Sequence, residues 1–299
     1  MWMRRIGMVV VGLITIVAAG AATVYAMSNS KLTTKYVVPP EPALAVATDA
    51  ATLARGEHVA TSIAKCTACH GANLSGGVVV DFAPVGHVYA TNLTKGNGGV
   101  LAFYDDAALE RAIRHGIGHD GRNLIIMPSK EFHNLSDEDV TAVIAYIRAQ
   151  PAVDKTIRAS NVGPMIRAQW VAGKVFPINS AEIHHDEKHV AISPTGITEQ
   201  HGLYIVKNGC MGCHGDGLSG GAIPGAPPDW KPAANITPTG IGGYSLGDFT
   251  RVLQSGRRPD GTMLDTLMPI KATKLMTAEE VESVYRFLKT VPPKPYGNR

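Results

Sequence analysis

The chain has 299 residues, enough for about two domains of ordinary size. Its formal charge is +3, and Arg4 and Arg5 supply two of those charges. The remainder is close to neutral, which gives no footing for a nucleic-acid partner.

The chain opens on Met1-Trp2-Met3-Arg4-Arg5, and residues 6–26 then carry no charge and are mostly apolar. As a helix this stretch spans about 31 Å, enough for a bilayer core. Two readings compete. A signal peptide needs a shorter apolar core followed by small residues, and Val24-Tyr25-Ala26 offers a cleavage site. The greater length favours an uncleaved signal-anchor helix over residues 1–27. Either way Arg4 and Arg5 stay in the cytoplasm and the chain beyond residue 26 is exported. Residues 28–48, with Pro39, Pro40 and Pro42, read as a semi-rigid tether.

A helix near 49–65 then runs into Cys66-Thr67-Ala68-Cys69-His70, and a second near 198–208 runs into Cys210-Met211-Gly212-Cys213-His214. These two pentapeptides use all four cysteines of the chain. Cys-x-x-Cys-His is the attachment pattern of a c-type haem: the thiols add to the porphyrin vinyl groups, and the adjacent histidine comes under the iron. A thioredoxin-like pair would occur once, at a strand-to-helix junction. A four-cysteine zinc site would leave both histidines without a reason. Two i, i+3 pairs also make a poor disulfide framework. The expectation is two covalently attached haems c, held by Cys66, Cys69, Cys210 and Cys213, with His70 and His214 as iron ligands.

The flanks of the two motifs repeat. Gly71-Ala72-Asn73-Leu74-Ser75-Gly76-Gly77 matches Gly215-Asp216-Gly217-Leu218-Ser219-Gly220-Gly221, Asn92-Leu93-Thr94 matches Asn235-Ile236-Thr237, and Met127-Pro128 matches Met268-Pro269. The order is the same in both halves, so the spacing predicts a tandem duplication of a unit of about 100 residues, with domains at 49–154 and 198–299 joined by a linker at 155–197. In each, a middle helix is expected near 105–115 and 246–255, ended by Gly116 and Gly256. A last helix starts at Ser136 or Thr277, with Asp139 or Glu280 three residues on as capping boxes. Val140, Val143, Ile144 and Ile147, and then Val281, Val284, Tyr285 and Leu288, form apolar stripes at helical spacing. The linker is interrupted by Arg167, Gln169 and Lys174, which argues against a second membrane span. Its His184, His185 and His189 read as a solvated cluster before they read as a metal site. Arg257 and Arg258 either pair with haem propionates or are simply exposed.

The sixth iron position separates a carrier from a catalyst. Met127 is the sole methionine between Met27 and Met165, with His87, His115, His119 and His133 as local competitors. After His214 there is no histidine, and the candidates are Met263, Met268 and Met276. The shared Met-Pro step selects Met127 and Met268. Thioether ligation raises the reduction potential and closes the iron to substrates.

With these motifs the chain resembles the class I c-type cytochromes in their dihaem form. It is similar to membrane-anchored dihaem cytochromes and to cytochrome subunits of periplasmic quinoprotein and flavoprotein dehydrogenases. The resemblance covers about residues 49–154 and 198–299. It implies an all-α fold of two tandem cytochrome c domains, each a few helices wrapped around one covalent haem with histidine–methionine ligation. It also implies that Asn92 and Asn235 lie near the haem edge. The function expected is electron transfer on the periplasmic side of the cytoplasmic membrane, without bond chemistry of its own. The partners expected are a dehydrogenase, an oxidase or another cytochrome, with membrane contact through the N-terminal helix. The competing reading is a dihaem peroxidase-type enzyme with one ligand-accessible iron.

Overall fold

A computed structural model describes residues 2–39, 42–175, 180–224, 226 and 230–299; Pro40 of the expected tether lies outside them. The chain is mostly helical. After α1 (Trp2–Thr33), the first repeat contains α2 (Ala50–His58), α3 (Cys66–His70), strands β1 (Gly77–Phe82) and β2 (Gly86–Ala90), α4 (Asp106–His115), α5 (Ser129–Phe132) and α6 (Asp137–Ala149). The linker forms β3 (Asn161–Val162) and α7 (Pro164–Val171). The second repeat follows with α8 (Glu199–Gly209), α9 (Met211–His214), α10 (Pro238–Ile241), α11 (Leu246–Ser255), α12 (Ile270–Thr273) and α13 (Ala278–Thr290).

In each repeat the first helix crosses the last at a glycine. A Cβ on Gly56 would lie 1.9 Å from the Ala142 carbonyl oxygen, and one on Gly202 would lie 2.0 Å from that of Ser283. Only hydrogen fits, so α2 and α6, like α8 and α13, touch backbone to backbone. The apolar stripes point into that contact: Val140, Val143, Ile144, Ile147, Val281, Val284 and Leu288 are all buried. From Gly56 to Cys66 the chain is two residues longer than from Gly202 to Cys210. The first repeat absorbs the excess in a π-helical turn, Val59–Ile63, followed by Lys65 at φ 54°. The helix expected over 49–65 is therefore α-helical only as far as His58.

The three-stranded antiparallel sheet β1-β2-β3 departs from an all-α fold. Val78, Val79 and Val80 supply the β-branched run. Gly86 takes φ 137° where a Cβ would strike the Asn161 carbonyl oxygen at 2.4 Å, and this close approach brings β3 of the linker onto the hairpin.

α1 is long and apolar enough to cross a membrane, with a mean hydropathy of 2.3 over its most apolar window and none of that window buried. It continues past residue 27, where the tether was expected to start, because its end docks on α7. The Arg167 guanidinium donates to Ser28 Oγ and Asn29 Oδ1, both at 2.7 Å, and lies 4.7 Å from the centre of the Tyr25 ring. Lys31 lies over Trp170 in the same way, at 5.4 Å.

The two repeats meet reciprocally. α5 packs on α8, and α12 packs on the π-turn of the first repeat. His58 Nε2 donates to Glu280 Oε1 at 2.7 Å, and Tyr204 Oη donates to Asp139 Oδ2 at 2.5 Å. His58 and Tyr204 each stand two residues after the crossing glycine, and Glu280 and Asp139 are both third in the last helix, so the two contacts are counterparts. One continuous apolar core, from Val59 and Ile63 to Val284 and Leu288, runs through both repeats.

The N-termini of the last helices differ as a result. Thr277 and Glu280 form the expected capping box. Ser136 accepts from the Asp139 N–H at 3.1 Å, but the return half is missing. Asp139 is engaged by Arg55 and Tyr204, and the Ser136 N–H donates to Tyr204 Oη at 3.0 Å instead. A residue of the other repeat completes the cap.

Candidate haem-binding sites

Both pentapeptides fold as one helical turn closed by a glycine, Gly71 at φ 80° and Gly215 at φ 81°. The chain then returns so that the N–H of Gly76 donates to the His70 carbonyl at 2.7 Å, and that of Gly220 to the His214 carbonyl at 2.9 Å. Leu74 and Leu218 occupy the left-handed region at φ 56° and 58° and are fully buried. Their carbonyls accept from the N–H groups of Leu93 and Ile236 at 2.8 and 2.9 Å. These bonds lay the Asn-(Leu/Ile)-Thr segment against the histidine. His70 Nδ1 is 2.8 Å from the Thr91 carbonyl oxygen, and His214 Nδ1 is 2.7 Å from that of Ala234.

A carbonyl oxygen can only accept, so Nδ1 carries the proton in both rings and Nε2 presents a lone pair. Burial lowers the proton affinity of both histidines, opposed by those same carbonyls. The rings are held neutral, in the state a metal requires. No disulfide joins the four cysteines, so each is open to a thioether bond. Before attachment to a haem, burial pushes Cys66 up to about 12 and Cys210 to about 11, so both wait as neutral thiols rather than thiolates.

Met127 and Met268 sit in matching turns. Pro128 (φ −80°, ψ 53°) and Pro269 (φ −78°, ψ 64°) each centre an inverse γ-turn, in which the methionine carbonyl accepts from Ser129 or Ile270 N–H at 2.8 Å. Both methionine side chains are partly buried and border the common core, as do Cys66 and Cys210. The competing residues have other settings. His87 pairs with Asp81 on the hairpin, and His119 packs against the rings of Phe103 and Tyr104. His115 and His133 face each other and the linker histidines. Met263 is exposed, and Met276 packs into the core at the foot of α13. One neutral imidazole, one thioether and two cysteines outside any disulfide, present in both repeats, suit a covalently attached haem.

Other residues around the motifs were not legible in the sequence. Lys65 Nζ donates to the Ile63 carbonyl at 2.9 Å and to the Gly209 carbonyl at 2.6 Å, so a strap joins the residues just before Cys66 and Cys210. Glu131, its pKa raised by burial against the pull of Lys65, accepts from the Gly212 N–H inside the second pentapeptide. The Thr91 and Ala234 carbonyls were hidden because a backbone oxygen leaves no mark on residue identity. Asn92 and Asn235 brace these loops: their Oδ1 atoms accept from Thr94 and Thr237 N–H, and their Nδ2 groups donate to the Val153 and Lys294 carbonyls. Arg258 donates to the Thr262 hydroxyl and the Met263 carbonyl, and Arg257 is exposed.

The family model for cytochrome c matches residues 53–151 and again 200–292, nearly two-thirds of the chain. The chain belongs to the cytochrome c family. Membership of that family brings a covalently bound haem c. Among relatives of this cytochrome is the cytochrome c subunit of a quinone alcohol dehydrogenase from Gluconacetobacter polyoxogenes, 27% identical over 279 residues, covering 83% of this chain and 57% of the relative. The cytochrome subunit of a fructose dehydrogenase from Gluconobacter japonicus is 27% identical over 279 residues, covering 81% and 53%. The cytochrome c subunit of a gluconate 2-dehydrogenase from Pantoea cypripedii is 25% identical over 270 residues, covering 80% and 59%. This cytochrome thus spans a little over half the length of the relatives it matches.

Proposed function

We propose that the chain is a dihaem electron carrier, anchored in the cytoplasmic membrane by α1 with both haem domains in the periplasm. In this reading Cys66 and Cys69 hold one haem between His70 and Met127, and Cys210 and Cys213 hold the other between His214 and Met268. The observation that carries it is the duplication of geometry: the same histidine–carbonyl bond and the same Met-Pro turn occur in both repeats. A haem ligated in this way supplies one-electron exchange at a raised potential. The protein's share is to fix the imidazole lone pair, to aim the sulfur from a stiffened turn, and to keep water out with the shared core. The Lys65 strap supports electron passage between the repeats, since it holds the two pentapeptides side by side.

Three relatives named as cytochrome subunits of dehydrogenases support a dehydrogenase as the electron donor. An oxidase or another cytochrome would accept. The two matching Met-Pro turns count against a peroxidase-type enzyme, which needs one iron position open. The Tyr25–Arg167 contact supports an uncleaved anchor, because cleavage after Ala26 would remove the ring from the guanidinium.

Haem quantitation and optical spectra of the oxidised and reduced protein test the reading. Two haems c per chain are expected, both low-spin. Met127→Ala and Met268→Ala are each expected to turn one haem high-spin and open it to carbon monoxide. A high-spin haem in the unaltered protein, or unchanged spectra in both variants, would overturn it.

A further inference from the structure

The linker was expected to be solvated, yet His185 and His189 turn inward. His115, the last residue of α4, is 1% exposed, and His133, which ends α5, is 7% exposed. His185 and His189 come down on them from the linker. Centroids of neighbouring rings lie 4.6 Å apart for His133 and His189, 5.0 Å for His115 and His185, and 5.3 Å for His115 and His133. The nearest ring nitrogens of His115, His133 and His189 all lie within 4.8 Å of one another. His115 Nδ1 and His185 Nδ1 are 2.9 Å apart. His184, adjacent in sequence, stays outside and exposed.

Such a cluster has two bland explanations, core packing and a hydrogen-bonded polar network. Core packing does not favour imidazole, whose ring nitrogens lose water on burial. A network satisfies its members, and His133 is not satisfied. Neither of its buried ring nitrogens makes a hydrogen bond of normal geometry: the Arg114 carbonyl approaches the ring outside that geometry, and the Glu187 carboxylate stands 4.0 Å away. Its side chain is more than nine-tenths buried and its ring faces His115 and His189. The His115 and His185 Nδ1 atoms share a hydrogen bond at 2.9 Å, which fixes the His115 ring in the way a partner outside the ligand set orients a metal-binding histidine.

We propose that His115, His133 and His189, with His185 beside them, form a binding site for one divalent first-row transition ion of the zinc, copper and nickel class. The donors are imidazole nitrogens without a thiolate, which suits those ions and disfavours calcium or magnesium. The site belongs to the first repeat alone. In the second repeat Ser255 and Lys274 stand where His115 and His133 stand in the first. Its role is to clamp. The ion ties the linker to α4 and to the end of α5, the element that follows Met127-Pro128 directly. The ion is separate from the haem irons.

The test uses the haem-loaded, untagged chain, stripped with a chelator and dialysed against zinc chloride, with zinc per chain measured by mass spectrometry. One tightly held zinc per chain is expected, together with a higher melting temperature in its presence. His133→Ala and His189→Ala are each expected to weaken binding by roughly 100-fold or more, and His184→Ala to leave it unchanged. The haem spectrum reports folding in each variant. Should His133→Ala fail to fold, His189→Ala on the linker decides alone. Absence of retained zinc in the unaltered chain, or equal retention in His189→Ala, would overturn the proposal.

Discussion

His58 and Glu280 meet across the interface with side chains 30% and 12% exposed, shielded enough for their charges to matter. The hydrogen bond to Glu280 raises the pKa of His58 above its ordinary 6.5. Burial works against ionised Glu280, but the bond and charge of His58 and the Thr277 N–H outweigh it, and its pKa falls below 4.5. His58 therefore contributes its full stability below pH 6.5 and loses it as pH rises through its raised value. Glu280 contributes fully above pH 4.5 and loses its share as pH falls through its lowered value. The pair is strongest between those limits. Replacing His58→Gln should remove on the order of 1 kcal/mol near pH 5.5, a drop of ~2–4 °C in melting temperature. That deficit should shrink at pH 9, which melts across the pH range would show; a deficit independent of pH would contradict the assignment. At this scale the sequence announced, by their recurrence, the cysteines, His70, His214 and the Met-Pro steps as candidates. It concealed Thr91 and Ala234, which act through backbone oxygen, and Lys65, whose partner lies 144 residues away.

Among the elements, the crossing of first and last helix bears the tightest steric demand. A methyl group on Gly202 would sit 2.0 Å from the Ser283 oxygen and 2.8 Å from Phe287 Cβ, and neither helix can yield without disturbing its stripe. Gly202→Ala and Gly56→Ala should each destabilise by ~1–3 kcal/mol or more. Gly243→Ala, where nothing lies within 4 Å, should leave the thermal midpoint within about a degree on the scale of neutral surface changes. Circular dichroism melts give both answers. Helix starts and stops were readable because caps are local: Thr198, Ser136, Thr277, Gly116 and Gly256 stand at the boundaries their chemistry suggests. The half-open box at Ser136 was not readable, since Asp139 looks like any third-position acid until Tyr204 arrives from the other repeat. The hairpin was missed although its β1–β2 pairing is local; the strand that covers its other edge, β3, comes from far along the chain.

Over the whole molecule, the shared core and the paired contacts make the repeats one cooperative body. A single calorimetric transition is expected for the unaltered protein, and a split or broadened one for the double variant His58→Ala with Tyr204→Phe, which cuts both reciprocal bonds. Two separate transitions in the unaltered protein would show that the interface is too weak to couple them. The duplication could be read from sequence; the docking could not, because each interface residue already has a plausible local task. The reciprocal contacts have one more consequence. Two like modules joined face to face in this way amount to a homodimer carried on one polypeptide. In a true homodimer both faces must stay identical, and their redox centres are interchangeable. Covalent fusion lifts that restriction. Here one face meets its counterpart through an ionisable imidazole–carboxylate pair and the other through a phenol on a carboxylate, so the two halves already differ in charge where they touch. Such inequivalence leaves the two halves free to answer a change of pH differently.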